Sequence, residues 1–128
     1  RVVDGWSTSR VGPGRTTVEL DGAHARLVVT DLRSAFYIRL SDFDVLDMIK
    51  LRPKKSGRVV EDVSILQFKD YRVVNETRNK VESFKKQEAD LLYRIWPQKP
   101  LEPGEYALIQ YADGKLNPQI WDFTIDAK

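Results

Sequence analysis

Apolar and polar side chains take turns along the end of this chain. Trp121, Phe123 and Ile125 share one parity, while Asp122 and Thr124 share the other. A period of two is what a strand with one wet face requires. The same period recurs in short runs from Arg15 onward, each bounded by turn-forming residues. Residues 16–20 run into Asp21-Gly22, a favoured turn dipeptide. Residues 25–30 form a second run, and residues 35–40, Ala-Phe-Tyr-Ile-Arg-Leu, a third rich in aromatic and branched side chains. Residues 48–52 alternate and stop at Pro53. After Lys54-Lys55-Ser56-Gly57 the chain returns through residues 58–63, a hairpin with a basic tip. In the C-terminal part, residues 89–96 place Leu91, Tyr93 and Ile95 on one face, with Leu92 and Trp96 opposite. Residues 105–111 and 120–125 complete the series.

Residues 66–88 carry the weakest pattern. Residues 71–74 read as a short strand. Val81 and Phe84, three apart among charged residues, support at most one helical turn in a loop. Many short strands without a long helix predict an all-β fold, an immunoglobulin-like antiparallel sandwich of about seven to nine strands. Residues 1–13, with Gly5, Ser7, Ser9, Gly12 and Pro13, read as an irregular N-terminal arm, and residues 14–128 as a single β-sandwich domain.

Composition narrows the chemistry. The 128 residues are 41% hydrophobic and 31% charged, a globular balance, and no apolar run approaches the ~20 residues of a membrane-spanning helix. The formal net charge of +2 makes no strong field, so nucleic acid is not an expected partner. The absence of cysteine excludes disulfides, thiolate catalysis and Cys-ligated metal. The chain begins at Arg1 rather than Met and is read as part of a longer gene product.

The segment Leu101-Glu102-Pro103-Gly104-Glu105-Tyr106 resembles the Leu-x-Pro-x-x-Tyr turn that enters the penultimate strand of fibronectin type III and related immunoglobulin-like domains. The resemblance covers about the last thirty residues. It implies that Tyr106 is a corner residue whose hydroxyl bonds the backbone a few residues upstream. It further implies that Leu101 packs inward and that Pro103 and Gly104 form the turn. The Pro-Gly-Glu-Tyr hairpin near the C-terminus also resembles sandwiches of the bacterial envelope, which implies a periplasmic, surface or secreted location.

Several residues could carry chemistry, and each has a plainer structural reading. Asp42, Asp44 and Asp47 could wrap a calcium ion, but six to eight oxygens are needed and no EF-hand spacing is present. Lys50, Arg52, Lys54, Lys55 and Arg58 could face an acidic partner, or simply protect an edge strand. A second basic stretch holds Arg78, Lys80, Lys85 and Lys86. His24, the only histidine, follows a turn and lacks a legible Ser or Asp partner. Glu102 and Glu105 form a weak hydrolytic pair, and no phosphate-binding glycine loop is present. Trp6, Trp96, Trp121, Tyr37, Tyr93 and Tyr111 could stack on sugars if exposed together, though such rings more often fill a core. No catalytic set and no cofactor is expected. The expected function is a non-catalytic interaction or accessory module of an extracytoplasmic protein, with a protein partner. The alternatives are a carbohydrate-binding module and, behind it, a carboxylate-based hydrolase.

Overall fold

A computed structural model describes residues 2–4, 14–40, 44–112 and 119–126, in which the chain is all-β. The described residues hold thirteen strands, several only two or three residues long, against the seven to nine expected. They fall into two compact units. One comprises Arg1–Ala23 with Leu51–Asn79, and the other His24–Lys50 with Lys80–Lys128.

The first unit is one antiparallel sheet. Its strands are β1 (Val2–Asp4), β2 (Gly14–Asp21), β6 (Arg52–Lys54), β7 (Gly57–Gln67) and β8 (Arg72–Thr77). They run in the order β1-β2-β7-β6, with β8 also on β7. Part of the expected N-terminal arm is therefore a strand, β1, paired with β2 from Val2↔Leu20 to Asp4↔Val18. Pro53 does not stop a strand but sits within β6, at the sheet edge, where a missing N–H costs no ladder bond. Gly57 lies between β6 and β2, and a Cβ on it would come 2.4 Å from the Leu20 carbonyl oxygen. Val18, Leu20, Val60, Val63 and Ile65 are buried.

The second unit has two sheets. Strands β10 (Ser83–Ala89), β11 (Leu92–Pro97) and β4 (Phe36–Arg39) form the smaller, in that order. The larger runs β3 (Val28–Val29), β13 (Gln119–Ile125), β12 (Gly104–Ala112), β5 (Asp44–Lys50), β9 (Lys80–Val81). All pairings are antiparallel except β3 on β13, which is parallel. One core joins the sheets: Leu46, Met48, Tyr106, Leu108, Phe123 and Ile125 from the larger, Ile95 with Phe36, Ile38 and Tyr93 from the smaller. The Phe36 and Phe123 rings meet at 4.5 Å between centroids. Each side chain buried as fully as Phe123 contributes about 1.5–3 kcal/mol. In β12 the run Tyr106-Ala107-Leu108-Ile109 is buried at every position, as expected of a strand wetted on neither face.

Within residues 66–88 the short strand expected at 71–74 is found as β8, whereas the expected loop with a helical turn around Val81 and Phe84 is instead strands β9 and β10. β10 (Ser-Phe-Lys-Lys-Gln-Glu-Ala) hides its strand character because it is a sheet edge with polar side chains on both faces. Of the expected single strand over residues 89–96, residues 92–96 are found as β11, while Ala89 ends β10 and Asp90-Leu91 form the turn between them. Leu91 does not share a face with Tyr93 and Ile95; it holds φ at 59°, a left-handed conformation unusual for a bulky residue. The expected hairpin from residue 48 is also corrected. Residues through Lys50 belong to β5 in the second unit, and the hairpin is the shorter pair β6–β7 of the first.

Candidate functional site

Strand pleating decides which side chains leave the second unit through the smaller sheet. In β11, Tyr93 and Ile95 point to the core, so Leu92, Arg94 and Trp96 point out. Pairing carries this parity sideways. Phe84 lies opposite Trp96, Lys86 opposite Arg94, Tyr37 opposite Arg94 on the other side, and Arg39 opposite Leu92. The outer face thus carries three aromatic rings and three cations on adjoining strands. Tyr37 is 62% exposed and Phe84 48%. Phe84 and Trp96 meet at 5.7 Å, tilted by 40°. The Arg94 guanidinium sits 4.4 Å from the Trp96 ring centroid, a cation–π contact that holds both planes. Glu88 reaches Arg94 Nε at 3.1 Å.

Lys86 and Arg94 oppose each other directly in the ladder, an arrangement that disfavours a sheet by a few tenths of a kcal/mol or more. Among the described residues neither Lys86 nor Arg39 has an ion-pair partner. What the face offers chemically is a partly apolar platform with positive charge. Among the described residues it brings no two acids to face each other.

The other candidates disperse. Tyr106, at the start of β12, is 2% exposed, and its hydroxyl donates to the Glu102 carbonyl at 2.8 Å. Burial, with Glu102 nearby, pushes its phenol above the ordinary tyrosine range. Leu101 is buried in the core, Pro103 is exposed, and Gly104 begins the strand. The basic residues do not converge. Arg58 is only 3% exposed and donates to the Asp21 and Gly22 carbonyls. Arg52 pairs with Asp62, and Lys54 with Glu19 at 2.6 Å, which lowers the Glu19 pKa, with help from the Thr17 hydroxyl. Lys55 is exposed in the turn. Lys50 belongs to the other unit, where it pairs with Glu102 beside an open groove of about 340 Å³ lined by Leu101 and Tyr106. Of the second basic stretch, Arg78 is buried against Glu61 at 2.7 Å and bonds Glu76, Lys80 faces Asp47, and Lys85 donates to the Leu46 carbonyl. Only Lys86 joins the outer face.

Of the proposed calcium ligands, Asp42 and the Asp44 side chain lie outside what is described. Asp47 accepts from the Tyr111 hydroxyl at 2.8 Å. No metal-binding group of three or more His, Asp or Glu occurs among the described residues. His24 is exposed and 3.2 Å from Glu105, a buried carboxylate that accepts from the Ala25 amide and the Thr124 hydroxyl. Glu102 is exposed and Glu105 buried.

Among the candidate aromatics, Trp96 and Tyr37 share the outer face, Tyr93 packs against the core, and Trp121 ends the inner face of β13 at 42% exposure. Trp6 lies outside the described residues. Phe84 and Arg94 escaped the sequence reading as site residues. The signal that could have found them is the Asp90-Leu91 turn, since a strand leaving such a turn needs an antiparallel partner just before it. No helix among the described residues is long and apolar enough to cross a membrane. No protein-family model, curated protein or solved structure matches the chain.

Proposed function

We propose that the chain is a non-catalytic binding module of an extracytoplasmic protein, and that the outer face of β10, β11 and β4 is its recognition surface. The observation that carries this reading is the grouping of Trp96, Phe84 and Tyr37 with Arg94 on one solvent-facing sheet surface. A large ring left in water costs free energy that a ligand can recover, and flat rings suit flat ligands. Of the two partner classes expected from sequence, protein and glycan, exposed rings able to stack on sugar faces favour a glycan.

An immunoglobulin-like identity for the second unit is part of the proposal. Three strands face a sheet in which β12 lies between β5 and β13, and a buried tyrosine at the start of β12 bonds backbone four residues upstream. The extracytoplasmic placement rests on the resemblance of the Pro-Gly-Glu-Tyr hairpin to envelope sandwiches.

The test is a binding screen of the folded chain against immobilised polysaccharides and peptides, beside a Trp96→Ala/Tyr37→Ala variant with an unchanged circular dichroism spectrum. A ligand lost with the two rings is expected. Ligands held equally by both proteins would refute the assignment of this face, and turnover of chromogenic glycosides would refute a purely binding role.

A further inference from the structure

The charge on the recognition face goes further than its rings. Across the strands the outward rows read Phe84–Trp96, then Lys86–Arg94–Tyr37, then Leu92–Arg39. Among the described residues, Lys86, Arg94 and Arg39 are answered by one carboxylate on the face, Glu88, which engages Arg94. Asp90 stands only in the turn beyond the last row. Placing two cations opposite each other weakens the ladder, and a sequence selected for stability alone would alternate signs here. Local rules broken without an internal compensation mark functional surfaces.

From this we infer that the face binds an anionic polysaccharide, a pyranose chain bearing carboxylate or sulfate groups. The inference rests on the binding-module reading and specifies its ligand. Sugar C–H faces rest on Tyr37 and Phe84, while the acidic substituents meet Lys86, Arg39 and the Arg94 guanidinium, whose plane is fixed by stacking on the half-buried Trp96. Rings and cations in adjoining rows suit a ligand that alternates apolar faces with negative charge. A neutral glycan would leave the cations unanswered. A flexible acidic peptide would leave the rings unused.

Affinity electrophoresis in gels containing polygalacturonate, dextran sulfate, hydroxyethylcellulose or poly-glutamate tests this, and the first two separate carboxylate from sulfate. Retardation is expected in at least one of the acidic polysaccharides, with little in the other two gels. Raising salt from 50 to 500 mM should weaken it strongly, because exposed charges are screened. Lys86→Gln/Arg39→Gln, at exposed positions with no ion-pair partner among the described residues, should weaken binding about tenfold at an unchanged melting temperature, and Trp96→Ala by at least as much. Retardation by hydroxyethylcellulose that survives Lys86→Gln/Arg39→Gln would overturn the anionic assignment while leaving a binding face in place. Equal retardation by poly-glutamate would reduce the effect to charge alone and also overturn it. Absence of retardation in both acidic polysaccharides overturns it outright.

Discussion

Replacing Tyr106 by Phe removes one oxygen from the second unit and leaves the ring where it is. The ring stacks on Phe123 at 5.8 Å between centroids, and Lys50 Nζ lies 5.8 Å from its own centroid. The lost interaction is the 2.8 Å hydrogen bond to the Glu102 carbonyl. A neutral hydrogen bond contributes about 0.5–1.5 kcal/mol net. Residue 102 is exposed, so water can replace the hydroxyl at that carbonyl, and the larger penalty of an orphaned buried acceptor does not arise. The expected destabilisation is about 1 kcal/mol, or roughly 4 °C in melting temperature for a chain of this size. Tyr106→Ala, which also empties the ring's place in the core, should cost about 3–5 kcal/mol. Urea unfolding followed by tryptophan fluorescence measures both, read at equal m-values. Both variants also differ from the parent in alkali. The native pKa of Tyr106 lies above its unfolded value because burial disfavours the phenolate. The resulting stability is complete below about pH 10 and drains away as pH rises through the native value. Tyr106→Phe should lack that part of the alkaline loss while keeping the rest. A Phe variant as unstable as Ala, or one indistinguishable from the parent in stability and in alkaline slope, would refute this account of the corner.

Three further substitutions probe other parts of the fold. Arg78→Met should destabilise by about 3 kcal/mol, because it takes the guanidinium away from the Glu61 carboxylate, which is 1% exposed; a second change, Glu61→Leu, should recover much of the loss, and simple additivity in chemical denaturation would count against the pairing. Gly57→Ala drives a Cβ to 2.4 Å from the Leu20 carbonyl and should cost about 1–3 kcal/mol, so an unchanged thermal melt would refute the close approach of β7 to β2. At Leu91, with φ of 59°, Gly should be neutral to within about 0.5 kcal/mol, whereas Val should destabilise by about 1 kcal/mol or more; the opposite ranking in a melt would disprove the left-handed turn.

Much of the fold was legible wherever one face of a strand is dry. β13 shows its parity in Trp121, Phe123 and Ile125, and the structure places all three on the sheet face they share with Leu108, Tyr106 and Gly104 of β12. Residues 35–40 and 105–111 were legible for a related reason, since branched and aromatic side chains in short runs fit a pleated, half-buried surface. β10 was not, because period-two alternation becomes visible only when burial separates the two parities, and this edge strand buries neither. Nor could the pattern show that β5 and β6, separated by Leu51 alone, enter different sheets. Alternation reports which way a side chain faces, not which strand lies beside it.

The chain order of residues was enough to determine an all-β fold, the absence of thiol chemistry and the turn leading into Tyr106, because each depends on near neighbours or on composition. The candidate site depended on long-range pairing. Phe84, Lys86, Arg94, Trp96, Tyr37 and Arg39 come from three strands, one of them more than forty residues away, and only strand registers bring their side chains to a single face. Local sequence sets the parity of each strand, whereas register is a property of pairs, and so the platform and its crowded cations emerge only once β10, β11 and β4 are hydrogen-bonded side by side.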